Sequence, residues 1–65
     1  MKLTDIELAS LIDALLYVEG ERGSTSSEVD LVSRFCDELR ERGYSWNSND
    51  RGLMLNVVID QLHKP

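Results

Sequence analysis

Three observations predict an all-α protein of three helices. Two T-x-x-E capping boxes, Thr4 to Glu7 and Thr25 to Glu28, each open a run with apolar residues at helical spacing. Gly20 and Gly43 stand where those runs should stop. Only residues 53–59, "LMLNVVI", alternate like a strand, and a lone strand would leave its ladder groups unpaired. The expected architecture is a small three-helix bundle, or a helical hairpin plus a third helix, completed by oligomerisation. A single domain should span residues 1–65.

The first helix should run from Asp5 to about Glu19. Leu3 before the cap and Leu8 after it can form a hydrophobic staple, and Asp5 suits the positive end of the helix dipole. Winding the segment at helical pitch puts Leu8, Ala9, Leu11, Ile12, Leu15, Leu16 and Val18 on one wide core arc. Ile6 and Tyr17 fall on the opposite side, beside Ser10, Asp13 and Ala14. They are either scattered exposed apolar residues, which every surface carries, or a seam for another subunit.

After the turn-rich "GERGST" at 20–25, the second helix should run from Ser26 to about Arg42, with Ser27 and Asp30 as an alternative start. Val29, Val32, Phe35, Cys36 and Leu39 form its stripe, widened by Leu31. Asp30, Arg34, Glu38 and Arg42 follow one another at four-residue spacing on a solvated face.

The third helix is expected from Asp50 to about His63, capped by Ser48 or Asn49. Leu55, Val58, Ile59 and Leu62 give its stripe, with Met54 at the edge, while Leu53 and Val57 lie off it. β-Branched residues at 57–59 weaken its intrinsic propensity, so packing must hold it. The rival strand reading would need pairing with another chain.

The stretch "RGYSWNSNDRGLM", residues 42–54, joins the last two helices. Its preferred role is architectural, with Trp46 closing the end of the core and its indole N–H bonded to a carbonyl. In the alternative, Tyr44 and Trp46, flanked by Arg42 and Arg51, form a protein-recognition hot spot.

Composition excludes more than it assigns. Twelve acids against seven bases give a net charge of −5, which opposes binding to phosphate backbones. Three short helices suit a helix–turn–helix frame, but the third offers only Arg51 near its start and no row of base-reading side chains. One cysteine, Cys36, allows no intrachain disulfide, and Cys36 with His63 supplies two soft ligands where a structural zinc needs four. Asp37 and Glu41 share a solvated face, His63 stands near the chain end, and Cys36 sits in an apolar stripe. None makes an acid–base or nucleophilic constellation, and no cofactor is expected. The first residues do not read as a secretory signal, and no run nears the roughly 20 apolar residues that span a bilayer. A cytoplasmic location is the simplest expectation.

The function expected is therefore non-enzymatic. It is a protein–protein interaction module that self-associates, a small chain being hard to stabilise alone, and that serves as adaptor or modulator of a larger protein. Ile6, Tyr17, Leu53, Val57, Tyr44, Trp46, Arg42 and Arg51 are the candidate interaction residues. Alternatives are a structural homo-oligomer without a regulated target, and a nucleic-acid-associated accessory protein or DNA mimic. Size and charge together suggest an accessory protein of a compact genome such as a phage's.

Overall fold

Thr4 starts the first helix as its spacing predicts. In the computed structural model, which describes residues 2–47 and 53–63, the Thr4 hydroxyl accepts the Glu7 N–H at 3.1 Å and the Glu7 carboxylate accepts the Thr4 N–H at 2.8 Å. Leu3 packs against the core in which Leu8 is fully buried, as a staple requires. Among the described residues three helices form and no strand: α1, Asp5–Arg22; α2, Ser26–Glu41; and α3, Met54–Leu62.

α1 passes through Gly20, where a stop was expected, and ends two residues later. A glycine inside a helix costs only about 1 kcal/mol, so it slows but does not break the run. The turn that breaks it is at Gly23, whose φ of 80° is a conformation L side chains rarely adopt. Its N–H donates to the Glu19 carbonyl at 2.9 Å. The added turn carries Arg22 onto Glu28, with Nη2 to Oε2 at 2.7 Å and Nη1 to Oε1 at 3.2 Å. Glu28 is thus shared between the α2 capping box and the α1–α2 corner. α2 stops at Glu41, the chain turns at Gly43, φ 102°, and the Tyr44 N–H donates back to the Leu39 carbonyl at 3.1 Å.

α3 starts at Met54 rather than Asp50. Leu53 is extended and gives no side-chain cap; the expected caps Ser48 and Asn49 lie outside the described residues. The cap comes instead from α1. Asp13 Oδ1 accepts the Met54 N–H at 2.7 Å and Oδ2 the Leu55 N–H at 3.0 Å. A carboxylate at a helix N-terminus satisfies orphan amides and meets the positive end of the dipole. At nine residues α3 is too short to persist by itself in water.

α2 and α3 both pack on α1 and not on each other. Their bonds fix direction. α2 runs from Glu28 at the C-terminal end of α1 to Arg42 beside Asp5. α3 runs from Asp13 at mid-α1 toward Gln61, which is hydrogen-bonded to Ser45 next to Tyr44. Both are therefore antiparallel to α1. At 1.5 Å per residue α1 is about 27 Å long and α3 about 13 Å, so α3 covers only the N-terminal half of α1.

The core lies at that half. Leu8, Ala9, Ile12, Leu39, Tyr44, Met54 and Val58 are buried, and no residue from Asp13 to Glu38 is. The buried line of α3 is Met54–Val58, one turn apart; Leu62, expected on the stripe, is exposed, and Val57, expected off it, packs against the core. The Asp13 clamp accounts for the rotation, because holding the first amides of α3 over α1 turns Met54 inward. Leu11 and Leu16, expected in the core arc of α1, remain exposed. No helix of the described residues is long and apolar enough to cross a membrane.

Candidate interaction surface

The candidate residues divide between the two ends of the molecule. At the end where the chain starts, Asp5 sits between two donors. Its Oδ1 accepts Arg42 Nη1–H at 2.6 Å, and its Oδ2 accepts the Tyr44 hydroxyl. Arg42 also donates from Nη2 to Glu38 Oε1 at 3.3 Å. The Tyr44 hydrogen bond, and after it that of Arg42, holds the Asp5 carboxyl below its ordinary range. The same bond raises the Tyr44 hydroxyl, and Asp5 raises Arg42 further above its own ordinary value. Arg42 and Tyr44, two of the candidate hot-spot residues, are thereby engaged inside the fold.

The loop closes this end a second time. The Ser45 N–H donates to Gln61 Oε1 at 3.1 Å, and Gln61 Nε2 donates to the Ser45 carbonyl at 2.6 Å. Trp46 is half-buried and packs against the core, as the corner reading expects. The Arg40 guanidinium carbon lies 4.3 Å from the centre of its ring, a cation–π contact. Arg51 lies outside the described residues.

At the opposite end the apolar side chains are open. Tyr17 is 69 % exposed, Leu53 57 %, Val29 56 % and Leu16 45 %. Ile6 is exposed on α1 nearer the closed end, and Val57 is half-buried on α3. Spacing alone puts Val29 and Leu16 on core stripes. Periodicity tells which way a side chain faces, not whether a neighbouring helix reaches it. Leu16 stays open because α3 ends its cover of α1 at Asp13.

Cys36 is half-buried in α2, and burial, opposed by Arg40 and aided by Asp37, pushes its thiol up. That is the environment of an unreactive thiol. Among the described residues no group of three His, Cys, Asp or Glu side chains could hold a metal ion, and no pocket forms.

No protein-family model, curated protein or solved structure matches this chain. Function has to be read from the side chains themselves.

Proposed function

We propose that the protein acts by binding other protein, as an adaptor or modulator of a larger partner, and carries out no chemistry of its own. One observation carries this reading: the α1–α2 hairpin from Asp13 to Glu38 has no buried residue, yet keeps Leu16, Tyr17 and Val29 in the open with Leu53 at its foot. Fully burying such a side chain is worth about 1.5–3 kcal/mol, so covering the exposed part of each offers a partner roughly 1 kcal/mol. Ionised side chains at the other end serve the fold instead, through Asp5, Arg42 and Glu38.

Self-association is the second reading, supported by the outer edge of α1. Ile6 and Tyr17 are separated by small Ser10 and Ala14, with Lys2 beyond one end and Glu21 beyond the other. Two copies of this edge laid antiparallel would set Ile6 against Tyr17 and Lys2 against Glu21, twice over by symmetry.

A photo-reactive benzophenone side chain placed at position 17, at 53 or at the solvated position 41 tests both readings in the cells that make the protein. Adducts from 17 and 53 but not 41 are expected. An adduct of twice the chain's mass identifies self-association, and other masses a different partner. No adducts, or equal yields from all three positions, would remove the proposal.

A further inference from the structure

α3 is held by ties that a second copy of the chain supplies equally well. It packs on α1 and not on α2. Its buried side chains, Met54 and Val58, share one cluster with Leu8, Ala9, Ile12 and Leu39. Its first amides are capped by Asp13 of α1, Met54 N–H at 2.7 Å and Leu55 N–H at 3.0 Å, while Leu53 before it gives no side-chain cap. Its far end is held by the reciprocal Ser45–Gln61 hydrogen bonds of 3.1 and 2.6 Å. Each of these partners lies between Leu8 and Ser45, so the α1–α2 hairpin with its Ser45 corner is a complete seat for the helix.

Detached, α3 has nothing to replace these ties. Nine residues without a cap of their own do not persist as a helix in water, and the vacated seat uncovers part of the cluster that holds Leu8, Ala9 and Ile12. An opened chain therefore recloses or takes up an α3 from another copy. The connection has the reach for either. Eight residues, 46–53, join Ser45 to Met54, and at full extension they span about 28 Å. The closed form needs only the length of α3 from Met54 back to Gln61, about 10 Å.

We propose that α3 exchanges between two copies of the chain, each copy seating its α3 on the α1 of the other. This rests on the self-association reading above and gives it a different surface from the outer edge of α1. Closed and exchanged forms make the same contacts with α3, so concentration decides between them. A short tether is equivalent to an effective concentration on the order of 1 mM. The closed monomer dominates well below that value, and the exchanged dimer grows in as the chain approaches it.

The test uses two full-length chains, both with Cys36→Ser, one also with Ser45→Cys and the other with Gln61→Cys. Each has a single thiol, so a short bismaleimide joins them only between chains, and a tag on one gives the mixed adduct its own mass. The two are mixed at about 10 µM or about 1 mM, left to equilibrate, brought to the same dilution and cross-linked. The 45–61 adduct should rise at least about fivefold between the two concentrations. It should also exceed by about fivefold the adduct from Ser27→Cys with Gln61→Cys, Ser27 being exposed at the far end of α2. Asp13→Ala in both chains removes the cap from closed and exchanged forms alike. It should therefore speed the approach to the final yield about fivefold and change that yield less than about twofold.

Circular dichroism checks that each variant keeps its helix content. Should Gln61→Cys lose it, Asp60→Cys, at the exposed position beside it on α3, takes its place. Equal yields at the two concentrations, a yield no greater than that of the Ser27 pair, or a rate untouched by Asp13→Ala each overturn the proposal. A photo-adduct of doubled mass from position 17 with no 45–61 adduct would leave self-association standing, through the edge of α1, and remove only the exchange.

Discussion

The two ends of this molecule are built from the same two helices and hold together by different means. At the closed end α1 is flanked on both sides, seven side chains are buried, and Asp5, Arg42, Tyr44 and Glu38 are joined by hydrogen bonds. At the open end the same α1 has a neighbour on one side only. Its ties to α2 are the exposed Arg22–Glu28 pair and half-buried Leu15, Val18, Val32 and Phe35. What separates the two ends is the reach of a nine-residue helix, which delivers Met54 and Val58 to one half and nothing to the other.

The sharpest way to break this comparison is to truncate an apolar side chain at each end. Leu39→Ala removes a fully buried side chain from the closed end and should cost about 2–5 kcal/mol, enough to leave a chain of this size largely unfolded. Val29→Ala, at the open end, should cost less than about 1 kcal/mol. Urea unfolding followed by circular dichroism compares them directly. Similar costs would mean that the Val29 face is covered in solution.

A smaller effect is expected at the joint between the ends. Asp13 serves as the N-cap of a helix forty-one residues away in the chain. Asp13→Ala leaves the Met54 and Leu55 amides without their acceptor and should cost about 1 kcal/mol, in the range measured for lost N-caps. Amide exchange should quicken first in α3, ahead of the Leu39 turn of α2. Uniform acceleration throughout would show that α3 does not open independently of the rest.

Asp13 also shows where sequence reasoning stops. Helix starts at Thr4 and Thr25 were legible because a capping box is local: donor and acceptor lie three residues apart. The start of α3 was not, because its cap belongs to another helix and leaves no mark near residue 54. The same holds for the Asp5–Arg42–Tyr44 group. Asp5 was read as a dipole partner and Arg42 as part of a solvated charge row, each in keeping with its own helix. Their meeting depends on the antiparallel docking of α1 and α2. Trp46 was foreseen as a corner residue because a chain with four aromatic residues tends to bury its one tryptophan at least in part, whereas the cation–π partner Arg40 was not. Tyr17 and Leu53 were singled out as surplus apolar surface, and both are exposed. Leu16 and Val29 were missed because both fit the core stripes of their own helices; for Leu16 the third helix stops short of it.

The smallest effect, and the one that most directly separates the two ends, is pH dependence. Glu28 at the open end is lowered from 4.5 to about 2, first by the Arg22 hydrogen bond and then by the Thr25 N–H. Asp5 at the closed end lies below its ordinary 3.8, first through Tyr44 and then Arg42. A carboxyl lowered by folding binds fewer protons in the folded chain. Its contribution is therefore complete above the unfolded pKa and lost as pH falls through the folded one. The open end should weaken below about pH 4.5, with Glu28 continuing to titrate down to about 2, and the closed end below about pH 3.8.

Tyr44 has the opposite sign. Its pKa is raised above 10, so its contribution is complete below 10 and is lost as pH rises through the folded value. Only the closed end therefore has an alkaline limb from the Asp5–Tyr44 pair. The stability difference between the wild-type chain and Tyr44→Phe should be about 1 kcal/mol on a plateau from roughly pH 5 to pH 9 and shrink on both sides. Arg22→Ala acts on an exposed pair, so its smaller difference should fade with added salt and on the acid side. A Tyr44→Phe difference that stays flat down to about pH 2 would mean that Asp5 does not hold the hydroxyl. The closed end would then rest on its apolar core, the Arg42 ion pairs and the Ser45–Gln61 hydrogen bonds.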